Sequence, residues 1–450
     1  MNRTRTPTGM LRTPSLLPLL LALGAGFAGA AQAQSLVELF DAARGYDASY
    51  QSAKAQAEAT MAKGEQARAG ILPTVNLGAG LSQTSQDSSL STLNGRSYNT
   101  QSAALTASQP LYRPANRATY EQGQKQTLVA QSQLLAAEQD LVVRVSQAYF
   151  DVLAATDNLT FVRSQKAAVA EQLASAKRNF EVGTSTIVDS RDAQARYDLT
   201  SAQELAADND VRVKSLALDQ LVGKSGSAPQ ALRTPVQLGP VEPADVNQWV
   251  QQSQDNNPLV QQTRIALDVA KLETEKAQDG HKPTLDLTGS YSVANNNGSA
   301  TSGTSYTTNV ASVGLSFNLP LFTGYAVQNR VKETLALEDK ARSDLDAAQR
   351  SVAQATRSAY FGLQSGLSQV KAYEAAEVST QSALDANKLG YSVGVKINID
   401  VLNAQSQLYS TKASLAKARY DVLVGGLKLR QAAGVLKVED LQAVNAQLAP

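Results

Sequence analysis

The sequence predicts an internally duplicated α+β membrane protein in which long antiparallel helices carry β-hairpins that cross a bilayer within a barrel shared between chains. Three observations lead there. The chain aligns with itself at an offset of about 210 residues. Each half contains two runs of strict apolar–polar alternation. Each half then continues into a proline-free stretch much longer than an ordinary globular helix.

Composition narrows the chemistry. The 450 residues include no cysteine, one histidine (His281) and 70 alanines. Thiol catalysis, disulfides, cysteine metal sites and a lipidated N-terminal cysteine are therefore excluded. One histidine argues against triads and multi-histidine metal centres. With 41 basic against 40 acidic residues, there is no electrostatic footprint for nucleic acid.

At the N-terminus, Arg3, Arg5 and Arg12 precede an apolar stretch from Leu16 to Phe27, and Ala31-Gln32-Ala33 offers a cleavage site. Residues 1–33 thus read as a signal peptide. Its removal takes three arginines and no acid, leaving 38 basic and 40 acidic residues, net −2. Beyond it no stretch approaches the ~20 apolar residues of a transmembrane helix, so any membrane crossing must be made by β-strands.

The repeat divides the rest into residues 34–223, a linker 224–245, residues 246–434 and a C-terminal segment 435–450. Ile71-Leu72-Pro73-Thr74-Val75 answers His281-Lys282-Pro283-Thr284-Leu285, Ala148-Tyr149-Phe150 answers Ala359-Tyr360-Phe361, and Gly223 answers Gly434. In the linker, Pro229, Pro235, Pro240 and Pro243 forbid a continuous helix.

Each half opens with a helical stretch, 35–70 in the first, without proline. Past Pro73, Val75, Leu77, Ala79 and Leu81 alternate with Asn76, Gly78, Gly80 and Ser82, and a polar loop, Gln83 to Thr100, leads to a second alternating run. In the other half Leu285, Leu287, Tyr291 and Val293 make one strand, and Val313, Leu315, Phe317 and Leu319 the next. Each half so contributes one long hairpin. From Tyr112 to about Phe180 the chain reads as one helix of roughly 68 residues, spanning about 100 Å. Leu128, Leu135, Val142 and Tyr149 recur every seven residues, with Val145, Val152 and Leu159 as companion row. A break at Val182-Gly183-Thr184 precedes a helix to about Val222, and the second half repeats this around Val393-Gly394.

Four strands cannot close a membrane barrel, since single-chain barrels begin at about eight. An open strand edge in lipid is forbidden, so several chains must share the barrel; the residues alone do not fix how many.

This layout resembles the TolC family of outer-membrane channel-tunnel proteins over essentially all of the mature chain. The resemblance is carried by Pro110-Leu111-Tyr112 and Pro320-Leu321-Phe322-Thr323-Gly324. It is carried more specifically by Tyr391-Ser392-Val393-Gly394 with Asp400-Val401-Leu402-Asn403-Ala404-Gln405. It implies a homotrimer with four strands per chain in a twelve-stranded outer-membrane barrel, above an α-helical barrel in the periplasm. It implies an equatorial band from the linker and C-terminal segment. The implied partners are a periplasmic adaptor protein and an inner-membrane efflux pump or ABC exporter, with no cofactor and no reaction.

The resemblance also assigns residues. The turns Val182-Gly183-Thr184 and Val393-Gly394-Val395 are the tips that dock the adaptor. Asp400 lines the constriction, with Asn403 standing where the pattern has a second acid. Asp189 ties neighbouring helices through Tyr391 and Lys396. From the residues alone, Asp189 and Asp400 are first-turn acids complementing helix dipoles, and the turns are plain helix hairpins. Lys396 in place of arginine removes bidentate pairing. With one acid ring lost, trivalent cations are expected to block weakly and Asn403→Asp to strengthen the block. His281 receives no role, Trp249, Tyr149 and Tyr360 are read as packing residues, and Tyr112 and Phe322 as members of an interfacial aromatic belt. A non-conducting trimeric coiled-coil surface protein is the alternative, but a stalk needs no second hairpin.

Overall fold

A computed structural model describes residues 34–89, 94–233, 235–236 and 238–449. The expected signal peptide, residues 1–33, lies outside the described residues. The first half runs α1 (Leu36–Tyr46), α2 (Ala48–Ala67), β1 (Thr74–Gln86), β2 (Arg96–Tyr112), α3 (Pro114–Glu181) and α4 (Ile187–Val222). The second half repeats the order as α5 (Val246–Asn256), α6 (Pro258–Gln278), β3 (Thr284–Asn297), β4 (Ser305–Asn318), α7 (Ala326–Ser392) and α8 (Asn398–Ala432). A short helix α9 (Glu439–Asn445) follows.

The helix expected over 35–70 is interrupted. Asp47 ends α1 and caps α2, its Oδ1 accepting from the Tyr50 N–H at 2.7 Å. Arg144 of α3 grips the same carboxylate through two 3.0 Å hydrogen bonds. Propensity misses the break because the partner that fixes it lies 97 residues away. The Arg144 hydrogen bonds, opposed by burial and helped by the Tyr50 N–H, hold the Asp47 carboxyl below its ordinary value. A depressed folded-state pKa stabilises above the unfolded value and is lost as pH falls through the folded one. Asp47→Asn keeps a cap acceptor but loses the charge. It is therefore expected to cost about 2 kcal/mol at neutral pH, and thermal unfolding of parent and variant should converge only in strong acid.

The four strands form one antiparallel sheet in the order β1-β2-β3-β4. At 13, 17, 14 and 14 residues they exceed the alternating runs that announce them, because their polar ends pair as well. The register sorts the side chains by face. Leu77, Leu105, Tyr291 and Ala311 form one row across all four strands, with Val75, Ala107, Gly289 and Val313 beside it. The opposite face carries Asn76, Thr106, Ser290 and Ser312, the last two hydroxyls 2.8 Å apart. The apolar face is bare: Leu77 is 78% and Val313 83% exposed. Outer edges of β1 and β4 have no strand partner among the described residues.

Where the sheet meets the helices, Arg113 forms a bidentate pair with Asp286 of β3, at 2.8 and 2.6 Å. Asp286 lies opposite Pro110, beside a register shift between Pro110 and Tyr112, so the pair replaces ladder bonds that proline cannot donate.

Below the sheet the helices lie side by side as a single-layer wall: α2, α3, α6 and α7 near the sheet, and α4, α3, α8 and α7 further away. The seven-residue rows of α3 divide accordingly. Val142, Tyr149, Val145, Val152 and Leu159 are buried, whereas Leu128 and Leu135 are exposed. Near the sheet α3 is flanked by α2 and α6 only, and a one-layer wall leaves those two leucines uncovered by this chain. Close approach there needs glycine: a Cβ on Gly123 would stand 2.9 Å from the Gly64 carbonyl oxygen.

The main core sits midway along the wall. Leu36, Phe40, Tyr149, Phe150, Leu218, Tyr420, Leu441 and Leu448 pack between α1, α3, α4, α8 and the C-terminal segment. The tyrosines read as packing residues do more. The Tyr149 hydroxyl accepts from the Gln230 N–H at 2.8 Å, and the Tyr360 hydroxyl donates to the Ala244 carbonyl. Equivalent tyrosines thus pin both ends of the linker, where proline has removed the backbone's own donors.

Candidate functional site

The helix hairpins far from the sheet hold most residues singled out by the sequence. In the first, Gly183 adopts φ +76°, a conformation that favours glycine, and lets the chain reverse. The Thr184 and Ser185 N–H groups both donate to the Asn179 carbonyl, at 2.8 and 3.2 Å. Thr186 then caps α4, its hydroxyl accepting from the Asp189 N–H, while the Asp189 carboxylate accepts from the Thr186 N–H. The Ser185 hydroxyl adds a 2.7 Å bond to Asp189. Burial pushes the Asp189 carboxyl up, but the bonds from Ser185 and Thr186 outweigh it and hold it below the ordinary carboxylate value.

The second hairpin has the same backbone but poorer chemistry. Gly394 adopts φ +79°, and the Val395 and Lys396 N–H groups donate to the Gly390 carbonyl. The residue before α8 is Ile397, which has no hydroxyl, so the Asp400 N–H donates to the Ile397 carbonyl at 3.1 Å instead. The Asp400 carboxylate accepts only weakly from the Ile397 N–H, at 3.4 Å, and Lys396 Nζ stands 3.7 Å from it. The first hairpin is a closed cap, the second a half-built one.

Within one chain the expected gate residues do not meet. Asp189 is occupied by its own cap. The Tyr391 hydroxyl accepts from Asn179 Nδ2 at 3.3 Å, which ties the end of α7 to the end of α3. Lys396 reaches Asp400 and not Asp189. Asp400 is part-buried and Asn403, one turn further along α8, is exposed. Val182, Val393 and Val395 project from the tips at 71%, 64% and 79% exposure, joined by exposed Val188 and Ile397.

Two neighbours escaped the sequence reading. Arg196 of α4 donates through Nη2 to the Asn403 side-chain oxygen Oδ1 at 2.7 Å. Its spacing, seven residues after Asp189, puts it on the same helix face and could have drawn attention. Asn398, the first residue of α8, is buried with neither side-chain polar atom partnered among the described residues. Nothing in the sequence marks it. No group of three or more potential metal-ligating side chains converges among the described residues.

Comparison with known proteins identifies the architecture. The profile of the outer membrane efflux protein family matches residues 39–224 and 249–435. The outer membrane protein TolC of Vibrio cholerae is 35% identical over 437 residues, covering 96% of this chain and 98% of that protein. The alkaline protease secretion protein AprF of Pseudomonas aeruginosa is 31% identical over 409 residues, 89% of this chain and 84% of that protein. Among solved structures, the outer membrane protein VceC from Vibrio cholerae superposes with a TM-score of 0.75 at 17% identity, covering 89% of this chain and 96% of that one. The chain belongs to the outer membrane efflux protein family, the TolC-type channels of the outer membrane.

Proposed function

We propose that the chain is the trimeric exit duct of a tripartite export machine. It takes cargo from an inner-membrane efflux pump or ABC exporter, through a periplasmic adaptor, across the outer membrane. The observation that supports this best is the sheet: one face apolar and bare, the other polar, with both edges open. In lipid those edges must be closed. Pairing β4 of one copy with β1 of the next closes them, and three copies supply twelve strands. The polar face then lines a lumen. The family's efflux name and the AprF relative's protease secretion favour a wide cargo range, small molecules and secreted proteins alike. Such a duct needs no chemistry of its own, so the chain is a channel and not an enzyme. Crosslinking in native membranes should stop at three chains; dimers only, or a soluble monomer, would remove the basis for a shared barrel.

The tips form the gate. Cleavage of the signal peptide after Ala33 delivers residues 34–223 and 246–434 as the two wall-building repeats, with 224–245 and 435–450 as the equatorial band. The exposed valines of Val182-Gly183-Thr184 and Val393-Gly394-Val395 offer an apolar surface to the adaptor. Asp189, Tyr391 and Lys396 hold the resting tips. Tyr391→Phe with Lys396→Ser is expected to raise single-channel conductance severalfold. It removes the Asn179 contact and a charge that Asp400 binds only loosely. Unchanged conductance in planar bilayers would make these contacts incidental helix-end pairs.

A further inference from the structure

We infer that Arg196 is a specificity-determining residue: it puts a positive charge at the level of the constriction where a second ring of carboxylates would otherwise collect cations. The inference rests on the reading of Asp400 and Asn403 as constriction residues. Arg196 Nη2 lies 2.7 Å from Asn403 Oδ1, bridging α4 to α8 across the tip. Among the described residues this amide is its only polar partner, and Asp192, one turn earlier on α4, forms no ion pair with it. An amide oxygen satisfies one of the five guanidinium N–H donors and neutralises no charge. Asp400, one turn nearer the tip, already faces Lys396 at 3.7 Å. Each copy therefore brings a partly compensated carboxylate followed by an uncompensated guanidinium. Three copies around an axis sum those fields in a narrow space, which repels cations at the second level and admits anions.

This changes what Asn403→Asp does. The new carboxylate would stand where Arg196 already points and would accept its fork in a charge-assisted pair. One substitution would thus create a neutral pair, not a second acid ring, contrary to the expectation from sequence.

The experiment compares purified trimers of the parent, Arg196→Gln, Arg196→Lys, Asn403→Asp, Arg196→Gln with Asn403→Asp, and Asp400→Ala in planar bilayers. Reversal potential is read in a potassium chloride gradient, and block is titrated with lanthanum(III) on the periplasmic side. Arg196→Gln should shift the reversal potential toward potassium while Arg196→Lys stays near the parent. Asn403→Asp alone should shift it about as far as Arg196→Gln does, since either substitution leaves the second level neutral. The double variant should shift it most and tighten lanthanum block about tenfold, the scale of a unit charge a few ångströms away in water. A loosened hairpin without a charge role would alter Arg196→Lys as much as Arg196→Gln. If Asn403→Asp alone matches the double variant, Arg196 does not govern the site and the inference fails. If Asp400→Ala shifts selectivity toward chloride but Arg196→Gln has no effect, the constriction stands and the inference alone falls. If neither moves it, both fall together.

Discussion

Gly434→Val is expected to abolish assembly. Gly434 ends α8 with φ +73°, where a β-branched residue is strained by about 1–2 kcal/mol. A Cβ there would also stand 2.5 Å from the Asn256 carbonyl carbon and from the Asn257 nitrogen and Cα. Those atoms belong to the junction of α5 and α6, whose backbone cannot swing aside as a side chain could. Overpacking of this kind adds about 1–3 kcal/mol, and a small domain has only ~5–15 kcal/mol in total. Gly394→Ala is the control. Its φ is +79°, but nothing lies within 4 Å of its missing Cβ, so it should cost only about 1 kcal/mol and still assemble. Outer-membrane fractionation and crosslinking read both variants. A Gly434→Val protein that crosslinks as the parent does would mean the α5–α6 junction yields more readily than its geometry allows.

The second large effect belongs to the sheet. Val313 sits mid-strand on the bare apolar face, and its neighbour Ser312 on the polar face. Val313→Arg would place three guanidinium groups against lipid, each costing about 2–4 kcal/mol at the bilayer midplane. Trimer recovered from the outer membrane should fall to a small fraction of the parent. Ser312→Arg turns the same charge toward the lumen, so insertion should persist and conductance drop. Equal tolerance of the two substitutions would show that the faces do not divide between lipid and water.

Much of this molecule is legible without coordinates because the governing forces are local and periodic. The alternation past Pro73, the seven-residue rows around Val142 and Tyr149, and the prolines between Pro229 and Pro243 state helix, strand and linker directly. The glycines of the two hairpins announce reversals, since few other residues adopt positive φ. The duplication then fixes the order of elements twice over. The candidate site is legible only in part. Asp189 and Asp400 stand out as first-turn acids, but whether each is capped depends on Thr186 in one case and Ile397 in the other.

What only the tertiary structure decided is everything that depends on partners distant in sequence. The four-strand register places Leu105 beside Tyr291 and Thr106 beside Ser290, which separates lipid face from lumen face; a one-residue slip would exchange them. The break at Asp47 is set by Arg144, and the linker is held by the hydroxyls of Tyr149 and Tyr360. Arg196 finds Asn403 207 positions away, a pairing that no period encodes. A sequence records the intrinsic preferences of each segment. Charge pairs and strand registers arise where segments meet, so their energies belong to the folded chain.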